Sequence, residues 1–362
     1  MEQAPLQGSV LVLILYDVCE EIHLEELRAI LGANPPGREP SFKHPAPEYV
    51  RFERTPVVEA VDAITLDTGE VPTGRLKYHD YGVVSVEFQF PFKGTWDNLV
   101  NMSSRYVAGQ EFERHALRIT RERLKKASPA LVKPYENWLS EDYYVFHIVE
   151  AEGQPNAADL VKAHGDDIAQ IVRGESVRLS EEERREVLGS CISYYPTDLA
   201  VVGWNAAFLY DTVAGAETTI QLLEYANSQL LEFRYYDEVL TRRLASVYQS
   251  LDKGTGFWAR WRMARASARL HTLLLDVTEL TERTDNAIKF LSDMFSARLY
   301  RLAANKVGVL DYKSLVQQKI DTAENLYKFM VEQFNQSRAF VLELMVVIIL
   351  IIDLIFLFEG KS

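Results

Sequence analysis

The chain has 362 residues and carries 39 Lys+Arg against 52 Asp+Glu, a formal net charge of −13. With 48% hydrophobic and 25% charged residues it has the balance of a folded protein, and its length suits two units that can each bury a core. The acidic total argues against a general nucleic-acid binder, and two cysteines, Cys19 and Cys191, exclude a disulfide framework or a cysteine zinc site.

The amino terminus has no basic cluster, and its apolar run, Val10–Leu15, is too short for a secretory signal. It reads as a buried first strand, which places the bulk of the chain in the cytosol. Residues 1–212 read as α+β. Strands are predicted at Ser9–Asp17, Tyr49–Val58, Arg75–His79, Val83–Phe90, Tyr143–Val149 and around Ser190–Tyr195 and Leu199–Tyr210. In Gly82–Phe90, Val84, Val86, Phe88 and Phe90 alternate with Val83, Ser85, Glu87 and Gln89, the period of a half-buried strand. Helices are predicted at His23–Leu31, Thr95–Val107, Glu111–Ala127, Ala157–Val172 and Ser180–Gly189, the last opening on a capping-box spacing, Ser180 to Glu183. Five prolines make Ala33–Pro47 an extended loop.

Residues 213–338 change to long helices with heptads. One run is Leu223, Ala226, Leu230, Phe233, Asp237, Leu240, Leu244, Val247 and Leu251; a second goes from Leu270 to Met294 and a third from Val316 to Leu344. The pattern predicts an antiparallel coiled-coil hairpin with turns at Asp252–Gly256 and Gly308, and a homo-oligomer. Asp237, polar at a core position, reads as a register marker.

Residues 339–358 read AFVLELMVVIILIIDLIFLF, enough for one C-terminal transmembrane helix, with Glu343 and Asp353 near its ends. The other reading is a terminal helix buried in an oligomer core. Folded back about Gly308, the hairpin would bring residues 253–269 to the membrane surface. That stretch holds Lys253, Arg260, Arg262, Arg265 and Arg269, with no acid before Asp276, beside Trp258 and Trp261. It reads as an interfacial elbow for a bilayer with anionic lipid. The alternatives are a solvated helix-turn with two core tryptophans, or RNA or protein binding.

Tyr81-Gly-Val-Val-Ser-Val-Glu-Phe88, Leu231-Glu-Phe-Arg-Tyr-Tyr-Asp-Glu-Val-Leu240 and the apolar tail with its embedded acids resemble segments of the "required for meiotic nuclear division" (sporulation-protein) family. The resemblance implies a membrane-anchored protein with a compact α+β domain, a helical hairpin and one C-terminal membrane helix. It implies for eukaryotic members a support of translation at the inner mitochondrial membrane, and it brings no catalytic residues.

Chemistry is sparse. The seven histidines form no HExxH, and no GxGxxG follows a strand. His164-Gly-Asp-Asp167 is the one dense ligand-like cluster and reads first as part of a helix. Cys191 reads as a small core residue. The basic stretch Arg114–Lys126 is diluted by Glu111, Glu113 and Glu122, the pattern of a solvated face. The resulting expectation is a non-enzymatic scaffold or tether, single-pass in the cytoplasmic membrane, oligomeric and without cofactor. Its rivals are an oligomeric channel or transport subunit using Glu343 and Asp353, and a membrane-proximal enzyme.

Overall fold

The structure is a computed structural model; it describes residues 6–32, 55–252 apart from 63, 67, 68 and 110, scattered positions between 265 and 278, and 294–359. Two compact units divide it: Met1–Tyr235 with Thr284–Tyr312, and Tyr236–Arg283 with Lys313–Ser362.

The first unit is built on a strand that the sequence makes apolar on both sides. β1 (Leu6–Ile22) runs past the expected Asp17, and Val10 to Cys19 are all buried. A near-continuous apolar strand belongs in the middle of a sheet covered on both faces. β1 lies there, antiparallel to β4 (Val83–Gly94) on one side and to β5 (Leu131–Glu150) on the other. Outward from β4 come β3 (Thr73–Tyr78) and β2 (Val57–Val61). Outward from β5 come β8 (Ala206–Tyr210), β7 (Leu199–Val202) and β6 (Cys191–Ile192). Among the described residues this is one eight-stranded sheet, antiparallel except for β5 and β8. β5 is far longer than the expected Tyr143–Val149. Pro134 hid its first half, because proline cannot donate to a ladder; the register slips between Asp17 and Cys19 just there, and Lys133 sits at φ +46°. The loop Ala33–Pro47 and the start of the strand expected from Tyr49 lie outside the described residues.

Alternation assigns the faces. Val10, Val12, Ile14 and Tyr16 of β1 join Val84, Val86, Phe88 and Phe90 of β4 in a core shared with α1 (Leu24–Leu31), α2 (Trp96–Val107), α3 (Glu111–Ala127), α4 (Ala157–Arg173) and α5 (Glu181–Leu188). Local capping sets where these helices begin. Thr95 Oγ1 accepts from Asn98 N–H at 3.3 Å while Asn98 Oδ1 accepts from Thr95 N–H at 3.0 Å. At α5, Ser180 Oγ accepts from Glu183 N–H at 3.2 Å, but the Glu183 carboxylate turns to Arg173 at 2.5 Å.

The opposite face carries Leu11, Leu13, Leu15 and Asp17, and α6 (Val213–Asp252) covers it. Lys77, Ser85, Leu15 and Glu141 form one row across β3, β4, β1 and β5. The helix touches both ends of that row: Lys77 pairs with Glu224 and Glu141 with Arg234. Every residue from Leu222 to Phe233 is buried. This corrects the expected coiled-coil hairpin. A coiled-coil helix buries a narrow stripe and leaves the rest to water, whereas here the polar positions between the heptad residues are buried too. After it, α7 (Met294–Val307) also packs within the first unit, Tyr300 against Gln229 and Phe295 against Tyr194. Gly308, at φ +93°, does separate α7 from α8 (Val309–Glu359), but no coiled-coil hairpin is evident among the described residues.

Within the second unit, Leu240, Leu244 and Val247 of α6 and Val316, Ile320, Ala323 and Met330 of α8 are buried. Asp237 Oδ1 accepts from Lys319 Nζ at 2.5 Å, so it is an ion-pair partner of α8. The expected transmembrane helix at 339–358 is overturned. Among the described residues no helix is long and apolar enough to cross a membrane. The single-pass topology, the tail-anchored form and the cytoplasmic-membrane location fall with it.

Candidate functional site

The densest polar chemistry lies in the seam between α6 and the second sheet face, inside the first unit. Glu224, Ser228 and Glu232 recur at every fourth position, so helical geometry puts them on one side. At one end, Lys77 Nζ stands 2.5 Å from Glu224 Oε2 and 2.9 Å from Glu87 Oε2. Glu87 takes a second cation, Arg75, at 2.5 Å, and His79 Nε2 stands 3.9 Å from Glu224 Oε1. Burial alone would push the Glu224 carboxyl up, but Lys77 and His79 outweigh it and hold it well below the usual carboxylate range. For Lys77, burial favours the neutral amine, and the two glutamates reverse that preference.

In the middle, the Tyr81 hydroxyl and Ser228 Oγ are 2.7 Å apart, with the Tyr81 ring stacked on His79 and edge-on to Tyr225. Gln229 Nε2 donates to the Tyr225 hydroxyl at 2.9 Å, and the Tyr300 hydroxyl donates to Gln229 Oε1. At the far end, Asp17 is 1% exposed and neither of its carboxylate oxygens has a hydrogen-bond partner. Burial raises its pKa well above the ordinary aspartate value, and Glu232 raises it further. The same surroundings push the Cys19 thiol up to about 12, burial first and Asp17 next. Tyr135 stacks on Tyr235, ring centroids 4.4 Å apart, beside the two acids.

α6 covers the seam, and its ion pairs tie the helix to the sheet at Lys77–Glu224 and Glu141–Arg234. A cleft of about 310 Å³ opens elsewhere, between Arg173, Glu186, Trp204 and Lys306. Its two cations are already engaged, Lys306 with Glu186 at 2.6 Å and Arg173 with Glu183 and Glu186 at 2.5 and 2.6 Å. Among the described residues no group of three His, Cys, Asp or Glu side chains is placed to hold a metal. His164 lies at a kink in α4, stacked on Trp96 at 4.3 Å and 3.0 Å from Asp167. Cys191, expected in the core, is exposed on β6.

Of the residues predicted for a membrane interface, Trp258, Arg260, Trp261, Arg262 and Arg269 lie outside the described residues. Arg265 is helical and exposed. Glu343 is exposed on α8, and Asp353 falls within the same helix. The seam residues Asp17, Lys77, Glu87, Glu224 and Glu232 were not expected as a group. Two signals marked them: a lone acid inside an apolar strand, and the four-residue recurrence of polar positions between heptad residues.

The family match falls on the α+β part of the chain. No solved structure matches the chain. Uncharacterized protein MJ0711 of Methanocaldococcus jannaschii is 18% identical over 196 residues, 54% of this chain and 60% of that protein. The chain thus spans less than two thirds of this relative's length. Nothing in these matches supports the resemblance to the meiotic-division family. The Tyr81–Phe88 segment that suggested it is a tight turn leading into a buried strand, with Gly82 at φ +94°, and such short patterns recur wherever that geometry is needed. Residues 7–217, more than half of the chain, match the family described as the N-terminal domain of uncharacterized protein MJ0711, and the chain belongs to that family.

Proposed function

We propose that the chain is a non-enzymatic scaffold that presents its α+β unit on long helices and works as a homo-oligomer. The observation that carries this reading is the outer run of α8. From Met345 to Ile352, and at Leu354 and Ile355, each large apolar side chain is 46–61% exposed. Consecutive helical residues point in all directions around the axis, so a single neighbour covers only part of such a run. Identical copies arranged about a symmetry axis cover all of it, because each helix brings the same surface. The sealed seam supports the non-enzymatic half of the reading, since its charged groups face one another rather than an opening. The channel and transport readings required a helix that crosses a bilayer and are not carried forward.

The test is sedimentation of the full chain in detergent-free buffer, beside the variant Ile348→Glu with Ile352→Glu. The wild-type chain is expected to sediment as a defined oligomer and the variant as a monomer. A monomeric wild-type chain overturns the reading, as does an oligomer that the two glutamates leave intact.

A further inference from the structure

The cleft beside Trp204 holds polar groups that its own ion pairs leave unused. Arg173 ends α4, Glu186 lies in the last turn of α5 and Lys306 in that of α7, and all three line a cavity of about 310 Å³ within the first unit. Cations at helix C-termini answer the partial negative charge of the last carbonyls, which accounts for their position. It does not account for the donors they keep in reserve. Arg173 reaches Glu183 and Glu186 through one nitrogen, Nη2, while its Nε is buried without a hydrogen-bond partner. Lys306 Nζ carries three hydrogens, and Glu186, at 2.6 Å, accepts one of them. The two cations are therefore engaged but not saturated, and a buried N–H with no acceptor is costly to a fold.

Trp204 is an independent observation. The β7–β8 turn that carries it is pinned on both sides of the residue. Gly203 N–H donates to the Ala206 carbonyl at 2.8 Å, the Tyr143 hydroxyl to the Gly203 carbonyl at 3.2 Å, and Tyr144 N–H to the Asn205 carbonyl at 2.9 Å. At Gly203 an added Cβ would lie 2.5 Å from Val172 Cγ1, so the turn is also packed tightly on α4. On this fixed turn Trp204 lines the cleft and is 63% exposed. A ring already held in place loses little freedom when a flat partner stacks on it. Val187 and Val202, both buried, extend the apolar lining.

These groups define a ligand with two parts: oxygen acceptors bearing negative charge, and a flat apolar body. Two cations and one carboxylate line the cleft, a net single positive charge, and the hydrogen bond from Lys306 lowers the pKa of Glu186 and keeps it ionised. A phosphate dianion would set two charges against that carboxylate, whereas a monocarboxylate sets one. A volume of about 310 Å³ is at the small end for ligand sites and suits a molecule built on a single ring system.

We propose that this cleft binds a small aromatic monocarboxylate, its ring on Trp204 and its carboxylate received by Arg173 and Lys306. The site lies wholly in the first unit and does not rest on the scaffold reading.

Saturation-transfer NMR and calorimetric titration of the full chain with benzoate, phenylacetate and indole-3-acetate test this, with inorganic phosphate and adenosine monophosphate as rival anions. At least one of the three carboxylates is expected to bind saturably. Trp204→Ala is expected to weaken that binding about tenfold or more. Arg173→Lys, which keeps the charge but lacks the Nε donor, is expected to weaken it as well. Glu186→Gln removes the carboxylate that shares the same cations and is expected to tighten it. Trp204 and Glu186 are both exposed, so these two variants keep their fold, and matching thermal melts verify it. Failure of all three carboxylates to bind overturns the proposal. So does tighter binding of phosphate or adenosine monophosphate, an affinity that Trp204→Ala leaves unchanged, or one that Glu186→Gln lowers.

Discussion

Lys77 is the residue on which the seam's ionic end depends. It stands between Glu87 and Glu224, and among the described residues Glu224, 2% exposed, has no other permanent cation beside it. Removing one partner of a buried pair leaves the other charge uncompensated, which costs more than the pair itself contributes. Lys77→Met is expected to destabilise the first unit by about 3–5 kcal/mol in urea denaturation. Adding Glu224→Leu to it is expected to recover most of that loss, since Glu87 keeps Arg75. If the double variant is no more stable than Lys77→Met, the loss came from packing and not from the charge. Asp17 shows why such residues are hard to find in a sequence. It looks like the polar end of a short apolar run, and only the continuation of β1 to Ile22 shows that it is interior.

At the scale of elements, local chemistry sets the joints and packing sets the faces. Gly82 closes the turn between β3 and β4 at φ +94°, and a Cβ there would lie 1.8 Å from the Cys19 carbonyl oxygen. Gly82→Ala is therefore expected to cost more than about 2 kcal/mol, from strain and the clash together. Thr95→Ala removes half of a reciprocal cap and is expected to cost about 1 kcal/mol; thermal melts of the two variants should rank them in that order. The helices α2 to α5 were readable because their apolar spacing and caps are local signals. α6 was readable as a helix but not as a buried one. Its heptad arithmetic takes Glu224, Asn227, Ser228, Gln229 and Glu232 to be solvated, and all five are buried.

For the whole molecule, the two ends of the seam make stability depend on pH in opposite directions. Glu224 has its folded pKa depressed, so its contribution is present above the ordinary glutamate value and is lost as pH falls through the depressed one. His147, buried against the Asp211 carbonyl, is also depressed, burial being the larger cause, and loses stability in the same direction. Asp17 is raised, so the folded state holds a proton that the unfolded chain has released, and stability declines as pH rises above the ordinary aspartate range. The urea midpoint of the wild-type chain is expected to pass through a maximum, with Asp17→Asn flattening only the limb on its high-pH side. An unchanged high-pH limb in that variant would mean that another group governs it.

The order of strands and helices through residue 189, the turn at Gly308 and the change to long helices were determined by sequence periodicity, because period two, period 3.6 and turn residues act over a few neighbours; that Leu199–Tyr210 is two antiparallel strands, β7 and β8, was not. The tertiary structure decided what each face meets. Whether a polar residue between heptad positions sees water or a sheet depends on what the chain lays over it from more than a hundred residues away, as Lys77 does for Glu224. The same holds for the apolar run of α8. Its residues are plain in the sequence, but the exposure of Met345–Ile352, Leu354 and Ile355 is a property of the folded chain.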